Sequence, residues 1–322
     1  MNSFCPKKLF VLLLFTLVLS CDAPRQNPFD PNAVNYKGKE QTIIQVYNLY
    51  PPYHGLSNIL VVEPNLHFSG RTGSDGTLIW EHEAFDSVAL QASGEGFFPT
   101  QTLFKNVGKN EVLTIYMNAH PTLQDVRFIS RYYSPRKECY LQYRSRIIDP
   151  DGLADLREAI LFCDEFAFQD TLELEKAGSD YFESQFNLQA VETTLSPSMA
   201  PELSFALLVQ NINGDSLRFE PFSIVRVIEY HLKQYTPAEN DTVRGNVTFS
   251  WEEVNLGFPF TFTILLYQLP TELIATYENI PGNSTQFTIA PLASGRYIWV
   301  LELRDSAGNI SQSSSIVFIS EN

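Results

Sequence analysis

The chain has 322 residues, 44% of them hydrophobic and 18% charged, with a formal net charge of −15. These proportions describe folding material rather than a disordered chain, and the length suits two or three domains. The acidic balance excludes nucleic acid as a partner and any membrane contact made through basic charge, because phosphate backbones and anionic headgroups are repelled.

In residues 1–20, Lys7 and Lys8 precede an apolar run from Leu9 to Leu19, broken only by Thr16 and followed by Ser20. A cationic patch, an apolar stretch too short to span a bilayer and a small residue are the parts of a secretory signal. Val18-Leu19-Ser20-Cys21 resembles a bacterial lipobox. That resemblance implies a diacylglycerol thioether on Cys21, cleavage before it and acylation of the new amino terminus. Loss of Lys7 and Lys8 with the leader takes the net charge to −17. A triacylated Cys21 meets the need for more than one chain in stable anchoring, so the lipid bilayer becomes a partner through Cys21. The expected location is the cell envelope, at the outer membrane of a Gram-negative bacterium.

Residues 21–39 form a Pro- and Asn-rich tether in which Pro24, Pro28 and Pro31 keep the backbone extended. From 40 to 119 the pattern has period two: Ile44 and Val46, then Val88, Leu90 and Ala92, then Leu113, Ile115 and Met117. Gly70-Arg71-Thr72-Gly73-Ser74-Asp75-Gly76-Thr77-Leu78 and Ala92-Ser93-Gly94-Glu95-Gly96-Phe97-Phe98 resemble the hairpin and glycine-aromatic turn of the carboxypeptidase regulatory-like, transthyretin-type sandwich. That family implies a spacer or docking module without an active site.

Residues 120–234 read as a second sandwich. Its strands are expected at 126–131, 139–148, 156–168, 181–192, 205–210 and 217–227, with Asn213-Gly214 as a hairpin turn. Asp149-Pro150-Asp151-Gly152-Leu153-Ala154-Asp155 is loosely similar to an aspartate-glycine loop of immunoglobulin-like envelope domains. Residues 235–322 resemble a fibronectin type III-like or Ig-like module, with Trp251 in the core and Tyr297-Ile298-Trp299 on the penultimate strand. The expected architecture is therefore all-β: three consecutive β-sandwich domains after a lipoprotein signal peptide and a flexible tether.

Few residues suggest chemistry. Asp149, Asp151 and Asp155 could offer oxygens to Ca2+, yet Ala154 and Ile160 stand where an EF-hand-like loop needs glycine and glutamate. The alternative is a turn whose Asp side chains bond their own backbone, and no other cofactor is expected. Cys5 leaves with the leader, whereas Cys139 and Cys163, on consecutive strands, suit either a disulfide or two buried thiols. The five histidines are scattered, and Glu81-His82-Glu83 reads as a solvated strand face. Asp followed by Ser or Thr and an apolar residue recurs at Ser87, Thr171, Ser216, Thr242 and Ser306. The pattern resembles an O-glycosylation sequon of exported proteins, and it also suits turns leading into strands.

No Gly-x-Ser-x-Gly elbow or phosphate-cradling loop is present, and no enzyme is expected. The reading is a non-catalytic cell-envelope lipoprotein whose tandem sandwiches serve as a stalk and as a surface that binds or assembles with an envelope protein or a glycan. The alternative is a carbohydrate-binding accessory lipoprotein or a surface glycan-degrading enzyme.

Overall fold

The computed structural model describes residues 40–82, 85–107 and 111–321, so the leader, Cys21 and the tether lie outside the described residues. The chain is all-β, and its described residues part into two compact units that divide between His120 and Pro121.

The first unit contains β1 (Glu40–Asn48), β2 (Leu60–Glu63), β3 (Phe68–Arg71), β4 (Thr77–His82), β5 (Phe85–Gly94), β6 (Phe97–Val107) and β7 (Val112–Met117). Two sheets, β4-β1-β7 and β3-β2-β5-β6, enclose its core. Alternation does the sorting. Ile44 and Val46 of β1 turn inward with Val61, Leu90, Ile115 and Met117, each burial contributing roughly 1.5–3 kcal/mol. Gly55 and Gly76 let two backbones touch: a Cβ on Gly55 would lie 2.0 Å from the Asp75 carbonyl oxygen, and Gly76 has φ 79°. Asp75 Oδ1 accepts from Thr77 N at 3.0 Å and Thr77 Oγ1 at 2.7 Å, which holds its carboxyl below the ordinary range.

His82 departs from expectation. Strand alternation does turn it away from Glu81, but toward the interior rather than solvent. It is buried, its Nε2 is 2.6 Å from Thr42 Oγ1, and its ring packs on Trp80 at 4.5 Å. Glu83 lies outside the described residues.

The second unit takes in both remaining sandwich segments. The first contributes β8 (Thr122–Tyr133), β9 (Glu138–Ile148), β10 (Leu156–Cys163), β11 (Phe168–Thr171), β12 (Glu173–Leu174), β13 (Tyr181–Asn187), β14 (Phe205–Asn211) and β15 (Ser216–Arg218). Next come β16 (Gln234–Thr236), β17 (Thr242–Arg244), β18 (Val247–Trp251), β19 (Phe260–Gln268) and β20 (Glu272–Pro281). The chain finishes with β21 (Gln286–Ile289), β22 (Gly295–Asp305), β23 (Ile310–Gln312) and β24 (Ile316–Glu321).

One sheet runs through both halves in the order β12-β13-β9-β8-β23-β22-β19-β20, with β24 also on β22 and β17 on β24. The joint is parallel: Arg131, Tyr132 and Tyr133 of β8 face Ile310, Ser311 and Gln312 of β23. Smaller sheets, β11-β10-β14-β15 and β16-β18-β21, complete the two sandwiches. The connector is built into both cores, Ile224 packing in one and Ile228 and Leu232 in the other. Residues on both sides of 234/235 thus belong to the same compact unit.

Three expected strands are cut short, each by local chemistry. The strand from Leu156 ends at Cys163 in a tight turn, with Ala167 at φ 53°, before β11. The strand from Tyr181 ends at Asn187, whose side chain accepts from Gln189 N and Ala190 N and caps the short helix α1 (Leu188–Val191). The strand expected to reach Val227 stops at Arg218, shortly before Pro221, which has no N–H to give a ladder. The Asn213-Gly214 turn is present: Asn211 Oδ1 accepts from Asn213 N and Asp215 N, and Gly214 has φ 90°. In the last sandwich Trp251 and Trp299 are buried, and the Tyr297 hydroxyl donates to the Ala293 carbonyl at 2.9 Å, a corner-like bond.

Candidate functional site

On β9 every second side chain is long and polar. Tyr140, Gln142, Arg144 and Arg146 point outward while Cys139, Leu141, Tyr143, Ser145 and Ile147 fill the interior. Register carries this polar face across three neighbours. Arg127 of β8, Arg144 of β9 and Glu183 of β13 stand in one row, which Glu173 of β12 extends. Ile129, Gln142 and Gln185 form the next row, with Gln142 Nε2 donating to Gln185 Oε1 at 2.6 Å. Together with Asp170 and Thr171 these rows line a groove of about 490 Å3, with buried Ile129 as an apolar patch of its floor.

The charges of the groove are unequally matched. Arg144 pairs with Glu175 at 3.2 Å and lies over the Tyr181 ring at 3.7 Å, while the Tyr181 hydroxyl donates to Asp125 at 2.8 Å. The Ser184 hydroxyl donates to Asp170. Arg127 has no carboxylate within 4.0 Å among the described residues. Partial burial, then repulsion from Arg304, Arg144 and Arg131, pull its pKa below the ordinary arginine value. Its guanidinium passes over Gly308, where a Cβ would lie 2.9 Å from Nη2. Across β12 and β13, Glu173 and Glu183 oppose each other directly, an unfavourable like-charge pair.

Of the residues singled out from sequence, only Thr171 reaches this groove. Cys21 lies outside the described residues. Cys139 and Cys163 are free thiols buried in one core, and burial pushes each up to about 12. Cys163 Sγ donates to Glu165 Oε2 at 2.9 Å. Asp149 Oδ1 accepts from Asp151 N at 2.8 Å, Gly152 N donates to the Asp149 carbonyl at 3.0 Å, and Gly152 has φ 97°. That is a self-bonded turn. Burial, with smaller contributions from Asp155 and Asp151, pushes the Asp149 carboxyl up to about 6. No group of three or more His, Cys, Asp or Glu is arranged for a metal among the described residues. Ser87, Thr171, Ser216, Thr242 and Ser306 are all exposed.

No family model matches the sequence, and no curated protein sequence matches it. Several solved structures are similar over parts of the chain. A DUF3823 family protein from Bacteroides ovatus is 11% identical over 58% of this chain and 98% of its own, with a TM-score of 0.27. The fibronectin(III)-like modules of Clostridium thermocellum CbhA are 9% identical over 62% and 93%, at 0.29. The chicken CNTN1 FN1–FN3 domains are 11% identical over 82% and 91%, at 0.32. Likeness at this level says nothing of what the chain binds, and the all-β architecture rests on its own strands.

Sequence reasoning missed the groove residues because they come from five strands and carry no motif. The one local signal is the run Tyr140-x-Gln142-x-Arg144-x-Arg146, whose long polar side chains all share a face.

Proposed function

We propose that this protein is a lipid-anchored envelope protein that presents its second unit as a non-catalytic binding surface. The observation that carries the reading is the groove around Arg127, whose groups are set by strand register. A site built on paired strands needs little reordering when a ligand arrives, so little affinity is lost to conformational entropy. The Cys21 signal supports attachment, and the sandwich that precedes the groove strands in sequence supports a stalk role for the first unit.

Two measurements test this. Cells fed labelled palmitate should place label on the protein, and Cys21→Ser should remove both the label and the membrane association. Crosslinking in the native envelope should then recover a partner at Arg127 and Gln185. An unlabelled protein would end the anchor, and recovery that is unaltered by charge reversal at Arg127 would end the binding surface.

A further inference from the structure

The groove's own chemistry narrows its ligand, on the footing that this face is the binding surface. An unpaired guanidinium calls for an anion, and its planar fork fits a carboxylate through two parallel bonds. The remaining groups limit how much charge that ligand can carry. Glu173, Glu183 and Asp170 border the same space, and the whole chain carries −15, so a polyphosphate or a densely charged polymer meets repulsion at every other contact. Amides and carboxylates side by side suit hydroxyl groups, which donate and accept at the same oxygen.

Peptide is the poorer fit. A peptide laid along strands needs a free edge or pockets for alternate side chains. The nearest edge, β12, is two residues long, and Ile129 supplies only a single apolar patch. We infer that the groove binds an acidic oligosaccharide, with Arg127 taking the carboxylate of a uronic acid and Gln142, Gln185 and Glu183 taking the hydroxyls. Arg127 and its carboxylate set the preference for acid over neutral sugar, and Gly308 positions the guanidinium by leaving the space beside it open.

The test uses the full chain and two matched probes, an otherwise neutral oligosaccharide carrying a single galacturonic acid and its methyl ester, in calorimetric titrations. The acid should bind at least about tenfold more tightly than the ester, since a single well-placed ion pair is worth about that factor. Arg127→Gln should level the two without shifting thermal unfolding, because Arg127 is exposed and makes no ion pair among the described residues. Equal binding of both probes, a preference that survives Arg127→Gln, or no binding of either would overturn the assignment. So would Arg127-dependent capture of a peptide carboxylate in place of the sugar. None of these outcomes touches the palmitate and crosslinking results, which judge the anchored binding surface separately.

Discussion

Arg131 Nη1 lies 2.7 Å from Glu302 Oε1, a pair that joins β8 of one sandwich to β22 of the next. Glu302 is 2% exposed and also receives Arg304 at 3.3 Å, while Arg131 Nη1 donates to Gln312 at 2.9 Å. Nearby, Asn309 Oδ1 accepts from Ser130 N at 3.0 Å, and Arg226 pairs with Asp305 at 3.3 Å. A buried carboxylate with two cationic partners is costly to disturb on one side only. Glu302→Ala should therefore destabilise the second unit by about 3–5 kcal/mol in guanidinium unfolding, and Glu302→Gln by less. A loss under about 1 kcal/mol would show that Glu302 and its cationic partners add little to the joint.

Asp149 gives a pH dependence with a definite sign. Its folded-state pKa of about 6 lies above the ordinary 3.8, so protonation favours the fold. That contribution is complete below about pH 4 and is lost as pH rises through about 6. Asp149→Asn keeps the oxygen that accepts from Asp151 N and removes the charge. It should stabilise the protein by about 1–2 kcal/mol at pH 7.5 and by almost nothing at pH 4, measured by urea unfolding. Lower stability of the variant at pH 7.5 would mean that ionised Asp149 has a counter-charge.

The backbone contact between Gly55 and the Asp75–Gly76 turn leaves no room for a methyl group. Gly55→Ala should cost the first unit about 2–3 kcal/mol or more, because the atoms it meets are main chain and cannot swing aside. Thermal unfolding of the variant, with the second unit's transition as internal reference, measures it.

Cys139 and Cys163 should resist alkylation in the folded protein. Both thiols are buried and pushed up to about 12, so neither holds appreciable thiolate at neutral pH. Peptide mass mapping after maleimide treatment should find both bare under native conditions and both labelled in urea. Rapid native labelling of Cys163 would show that the Asp164–Phe166 turn opens.

Much of this fold could be read from local pattern. Ile44 and Val46, Leu113 to Met117 and Phe249 with Trp251 alternate cleanly because one face of each strand is buried. Asn213-Gly214 marked its own turn. The joint could not be read in this way. It rests on a three-residue parallel pairing across a long sequence separation, and the side chains that secure it, Ser130, Arg131, Glu302 and Asn309, look in sequence like surface residues. The burial of His82 is hidden from local pattern for a similar reason, since the Thr42 hydroxyl it contacts is forty residues away. The groove shares this character. Arg127, Gln142 and Gln185 become neighbours only through register.

β20 ends one side of the shared sheet and is ten residues long, the kind of rim along which strands of separate molecules zip together. Here the rim is bent: its pairing with β19 slips between Phe262 and Ile264 and again between Leu266 and Tyr267, and Asn279 turns left-handed at φ 60°. Irregularities of this kind hinder a second chain from pairing flat along an edge. Copies crowded side by side can therefore stay separate without fusing into fibres.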